Sequence, residues 1–179
     1  MSFIIDVIIS KTTFGYNYPM KNSETEQNTI EIIKHLKKNA QTITFAESCT
    51  GGRIASEFTA ISGASSVLGG SCVTYSNAIK SEWLGVSEKT LVHYGAVSKE
   101  CVQEMLTGII KLAHANYAIA VSGIAGPTGG SIEKPVGTVY IGIRNNQNFI
   151  INRYLFQGDR KAVQTQATDT AIALLKKNL

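Results

Sequence analysis

A chain of 179 residues with 44% hydrophobic content has the size of one domain and can bury a core without disulfides or a structural metal. Only 17% of its residues are charged, against roughly 25% in an average globular protein, and its 16 glycines are dispersed, which excludes a disordered or low-complexity chain. The net charge of +4 contains no long run of like charges, so neither nucleic acid nor a membrane surface is expected as a partner, whereas a small anionic ligand suits that balance.

The apolar opening from Phe3 to Ile9 is too short to span a bilayer, contains Asp6 and follows no basic segment, so it is read as neither a membrane helix nor a signal peptide. Residues 1–22 are instead expected to form an N-terminal extension, an added edge strand or an arm packed on a partner, ahead of a single domain over 23–179. Ser23-x-x-Glu26 has capping-box spacing, and Ile30, Ile33 and Leu36 follow at helical intervals, which predicts a helix to about Asn39. The β-branched run Thr42 to Ala46 reads as a buried strand, and Gly51-Gly52 followed by Ile54, Ala55, Phe58 and Ile61 as a turn into a second helix. Ser48 therefore falls on a strand-to-helix turn.

A second strand is expected from about Gly70 to Tyr75, and Ser87-Glu88 opens a short helix that Gly95 ends. Ser98 caps a longer helix with Val102, Met105, Leu106, Ile109 and Leu112 on one side, after which Tyr117 to Val121 reads as a fully buried strand. Four glycines and Pro127 make the segment Ser122 to Gly130 a shaped loop. Val136 to Ile143 and Phe149 to Phe156 alternate as an antiparallel hairpin across Asn145 to Asn148, and Asp159 caps a final helix bearing Val163, Ala167, Ala171 and Leu174. Helices alternating with buried strands predict a three-layer α/β domain.

Cys49, Cys72 and Cys101 are odd in number and lack CxxC spacing, which argues against a disulfide framework and a zinc site and fits a reducing cytoplasm. His35, His93 and His114 are scattered, with no HxxxH or HExxH pair, so no metal is expected.

In an open α/β sheet, ligands bind beyond the carboxyl ends of the strands. The Ala46 to Gly52 loop and the Ser122 to Gly130 loop both leave strands at such ends and can line one cleft. Their glycines let backbone N–H groups approach a ligand, and the helix beginning near Gly52 would offer its positive end to a phosphate or an oxyanion. Serine is a weak nucleophile without a base, and no GxSxG context is present. Lys80 can be that base if burial and nearby positive charge depress its pKa, and Tyr75 can hydrogen-bond the reacting oxygen. Spacing alone favours the plainer reading of a solvated lysine and a half-buried strand tyrosine. Cys49 is a competing nucleophile at a helix start, or simply a small apolar filler with no histidine nearby in sequence.

Five stretches carry a family resemblance: Ala46 to Gly52, Val73 to Asn77 with Lys80, His93 to Ser98, Ser122 to Pro127, and Lys134 to Val139. In that order the chain, from about Glu24 to Lys177, resembles the C-terminal domain of the competence/damage-inducible protein CinA and its stand-alone, PncC-type nicotinamide-nucleotide amidases. The resemblance implies an α/β/α domain with a mixed, mostly parallel five-stranded sheet, no cofactor, and hydrolysis of nicotinamide mononucleotide to nicotinate mononucleotide and ammonia. It implies a Ser/Lys hydrolase with Ser48 as nucleophile, Lys80 as base and Tyr75 as helper. Expected substrate contacts are Glu47, Thr50, Gly51, Gly52, Gly123, Gly126 and Arg160, with the Thr50 to Gly52 amides binding the oxyanion. The large N-terminal domain of full-length CinA is not in this sequence, so a stand-alone form is expected, as a homodimer by virtue of the apolar arm. The alternative is a non-catalytic nucleotide-binding or regulatory module linked to competence or damage responses.

Overall fold

The computed structural model describes residues 23–145 and 148–179, so the expected N-terminal extension and the tip of the hairpin turn lie outside the described residues. Six helices and five strands follow in the order α1 (Glu24–Lys38), β1 (Ile43–Glu47), α2 (Arg53–Thr59), β2 (Leu68–Val73), α3 (Asn77–Leu84), α4 (Glu88–His93), α5 (Lys99–Ala113), β3 (Tyr117–Gly123), β4 (Thr138–Asn145), β5 (Asn148–Leu155) and α6 (Arg160–Lys177). The sheet order is β2-β1-β3-β4-β5. β2, β1 and β3 are parallel neighbours, and β4 runs antiparallel to both β3 and β5, so the sheet is mixed and β4 alone is reversed.

Strand side chains divide by alternation into two cores. Ile43, Phe45, Ile119, Val121, Val139 and Ile141 pack against α1, α2 and α6. Ala46, Ala118 and Ala120 face the other way, toward Val102, Met105, Leu106 and Ile109 of α5. The side chains on this second face are small for a steric reason. A Cβ added at Gly142 of β4 would lie 2.6 Å from Val102 Cγ1 and 2.9 Å from Leu106 Cδ1, so only glycine lets α5 lie this close.

The predicted caps form. The side chains of Ser23, Ser87, Ser98 and Asp159 each accept a hydrogen bond from the backbone N–H three residues on. One element departs from expectation: α3, at Asn77–Leu84, has no counterpart among the expected helices. Ser76 caps it by accepting from Ile79 N, and Gly85 ends it at φ +67°. The second strand ends at Val73 rather than Tyr75, because the chain turns there into α3. β4 begins at Thr138 rather than Val136, since Gly137 sits at φ +92° with Phe156 O only 2.0 Å from where its Cβ would be.

Candidate active site

The parallel run of β1, β2 and β3 brings the ends of all three strands to one side of the molecule. Ser48 follows β1 directly, Thr74 and Tyr75 follow β2, and Ser122 and Gly123 close β3. β5 ends on the same side and hands the chain to Arg160, the first residue of α6. A cleft of about 260 Å³ opens here, with Ser48, Cys49, Tyr75, Lys80, Gly126 and Arg160 in its wall.

The chemistry centres on Lys80, whose side chain is 1% exposed. α3 starts at the end of β2 and turns Lys80 back under it. Its Nζ donates to Thr74 O at 2.7 Å, to Tyr75 O at 3.3 Å and to Ser48 Oγ at 3.1 Å. Burial disfavours the ammonium form and pulls the Lys80 pKa below its ordinary 10.5, while nearby Cys101 and Cys49 oppose the shift. A neutral amine has two N–H bonds and one lone pair. With the two carbonyls taking the N–H bonds, the lone pair is left for the Ser48 hydroxyl, which then becomes the donor. Ser48 itself is 7% exposed at the cleft floor, its N–H held by Val121 O at 3.1 Å.

Arg160 spans the mouth of the cleft. Its Nη1 donates to Gly126 O at 2.8 Å and its Nη2 to the Tyr75 hydroxyl at 2.7 Å, which ties the two glycine-loop and β2 walls together. Ser122, buried, donates to Ala96 O at 2.7 Å and so fixes the Ala96-Val97 wall, a contact with no signal in the sequence beyond the position of Ser122 at a strand end.

Of the residues expected to act here, Ser48, Lys80, Tyr75, Gly123, Gly126 and Arg160 come together in the lining, while Glu47, Thr50, Gly51 and Gly52 do not. Glu47 is fully buried, and its carboxylate accepts from Gly52 N at 2.9 Å, Ile54 N at 3.2 Å and Ala55 N at 2.9 Å. The start of α2, expected to receive an anionic ligand, is therefore occupied by the protein's own carboxylate. The Gly51 N–H is also taken, by Ser48 O at 3.1 Å, and Thr50 is fully buried, so the Gly51 and Gly52 amides of this turn are engaged within the protein. Cys49 lines the cleft but is 4% exposed, and burial pushes its thiol up to about 12, opposite to what an attacking thiolate requires. Among the described residues no group of three or more His, Cys, Asp and Glu side chains is placed to hold a metal, and no helix is long and apolar enough to cross a membrane.

Fold and site together define an α/β/α domain that presents a buried serine–lysine pair at the ends of its parallel strands. The CinA C-terminal domain matches residues 25–179, and the chain belongs to that family. It is 44% identical over 176 residues to a CinA-like protein of Thermotoga neapolitana, covering 98% of this chain and 42% of that protein. With a CinA-like protein of Fervidobacterium nodosum it shares 45% identity over 179 residues, 100% of this chain and 43% of the relative. The chain thus spans less than half the length of these relatives. Among solved structures it is similar to competence damage-inducible protein A (ComA) of Klebsiella pneumoniae, with a TM-score of 0.84 and 38% identity over 87% of this chain and 96% of that one. The competence/damage inducible protein CihA of Agrobacterium tumefaciens is similar at a TM-score of 0.83 and 37% identity, covering 86% and 94%.

Proposed function

We propose that this domain is a serine–lysine amidohydrolase that deamidates nicotinamide mononucleotide to nicotinate mononucleotide and ammonia. The observation that carries the reading is the 3.1 Å contact between Lys80 Nζ and Ser48 Oγ, with the lysine out of water and its pKa lowered. Ser48 Oγ attacks the carboxamide carbon while its proton passes to the Lys80 amine. Collapse of the tetrahedral intermediate breaks the C–N bond, Lys80 returns the proton to the departing ammonia, and an acyl ester remains on Ser48. Water, deprotonated by the same lysine, then cleaves the ester to give the carboxylate and regenerate the serine. The N–H groups of Ala125 and Gly126, two residues of the cleft wall, have no acceptor among the described residues and are candidate oxyanion donors. A donor of this kind is typically worth about 3 kcal/mol in the transition state.

Ammonia release from nicotinamide mononucleotide by the wild-type chain, beside Ser48→Ala and Lys80→Ala, tests the proposal. Release by the wild type and its loss in both variants is the expected result; a well-folded wild type that frees no ammonia would overturn it.

A further inference from the structure

The cleft around Ser48 is not the end of the concave surface. A second cavity of about 640 Å³ adjoins it, with Ala125 and Arg160 in the walls of both. Its remaining wall includes Arg53, Asp159, Lys161 and Gln164. Three cations thus face one carboxylate, and that carboxylate is engaged, since Asp159 Oδ1 accepts from Ala162 N at 2.8 Å. Arg53, Arg160 and Lys161 take part in no ion pair among the described residues. Two of them are held in place by neutral groups: Arg53 Nη1 donates to Thr50 O at 2.9 Å, and Arg160 donates to Gly126 O and the Tyr75 hydroxyl. A guanidinium has five N–H bonds, so both keep donors in hand. Fixed cations without counter-ions are a site for an external anion.

The first cleft is also smaller than the roughly 300–1,000 Å³ of typical ligand pockets, which leaves a nucleotide-sized substrate extending beyond it. We propose that the second cavity is an anion subsite, in which Arg53, Lys161 and the outer face of Arg160 hold the phosphomonoester end of the substrate whose amide reaches Ser48. This rests on the amidase reading of the cleft. It relocates the anion site from the start of α2, which Glu47 fills, to the side chains beside it.

The test compares wild type, Arg53→Gln, Lys161→Gln and the double variant on nicotinamide mononucleotide and on nicotinamide riboside, which lacks the phosphate. Each single change should raise KM for the phosphorylated substrate about tenfold, and the double change more, with kcat held within about twofold and the riboside unaffected. An unchanged KM in the double variant, or an equal loss on the riboside, would overturn the proposal. Calorimetric titration with ribose 5-phosphate against ribose separates this outcome from failure of the amidase reading. If the wild type hydrolyses neither amide, ribose 5-phosphate binding that disappears in the double variant still upholds the anion subsite. Absent or unaltered binding rejects it.

Discussion

Lys80 Nζ stands 3.1 Å from Ser48 Oγ although the two residues come from different strand–helix connections, one following β1 and the other inside α3. Because burial lowers the Lys80 pKa from 10.5, the neutral amine that can accept the Ser48 proton exists at lower pH than it would in water. The expected pH profile of kcat/KM rises with pH as Lys80 loses its proton, with its midpoint below 10.5. Lys80→Arg, which cannot deprotonate, should lose that limb together with most of the rate. A rate that falls as pH rises through the same range would contradict a lysine base.

The same burial has a consequence for stability. A lysine whose pKa is lower in the folded than in the unfolded chain binds fewer protons when folded, so stability rises as pH climbs from the folded value toward the unfolded value near 10.5. Lys80→Met keeps the apolar stem and removes the charge. Below that window the variant should be more stable than wild type in denaturant unfolding, and the difference should shrink by about pH 10. A variant less stable than wild type at neutral pH would mean that the carbonyls of Thr74 and Tyr75 hold an ammonium.

The serine was legible in the sequence because a buried apolar strand, a polar cluster and paired glycines meet at Ser48, and these are local signals. The helix that delivers Lys80 was not. Asn77–Leu84 shows little periodicity in the apolar residues Ile79, Trp83 and Leu84, although its start at Ser76 and its stop at Gly85 were both present as capping signals. Glu47 misled for a different reason. A carboxylate beside a nucleophile reads as a site residue, and only the backbone path of α2 reveals that three N–H groups converge on it. The pairing of Arg160 with Tyr75 joins positions 85 residues apart and depends on β5 returning to the end of the sheet where β1 stops. No sequence pattern encodes that return directly.

Glu47 fixes the turn that carries Ser48, since both carboxylate oxygens bind amides at the start of α2. Glu47→Gln keeps the shape, halves the acceptor atoms and turns an N–H₂ group toward amides that need an acceptor. A loss of about 1–3 kcal/mol in unfolding free energy is expected, with kcat reduced more than KM is raised because the nucleophile is displaced. An unfolding curve superimposable on wild type would refute this anchoring role.

Cys49 provides a control for the identity of the nucleophile. Its thiol is buried and pushed up to about 12, so at neutral pH almost none of it is thiolate. Cys49→Ala should keep most of the turnover that Ser48→Ala loses, and iodoacetamide should leave the folded protein active. Loss of turnover in Cys49→Ala equal to that in Ser48→Ala would shift the attack to sulfur.

The position of Lys80 also depends on a helix contact remote from the cleft. Gly108 of α5 passes so close to the end of α3 that an added Cβ would lie 1.9 Å from Leu84 O and 2.6 Å from Leu84 C. Both atoms are backbone, so rotamer changes cannot relieve the clash and α3 itself must move. Since α3 carries Lys80 four residues earlier, Gly108→Ala should lower stability by about 3 kcal/mol and also reduce kcat, although Gly108 touches no part of the cleft. The informative comparison is with Gly69→Ala on the edge strand β2, where a Cβ meets nothing within 4 Å. That variant should unfold and turn over much as wild type does. A Gly108→Ala protein with wild-type melting temperature and rate would show that α3 can shift without carrying Lys80 away from Ser48.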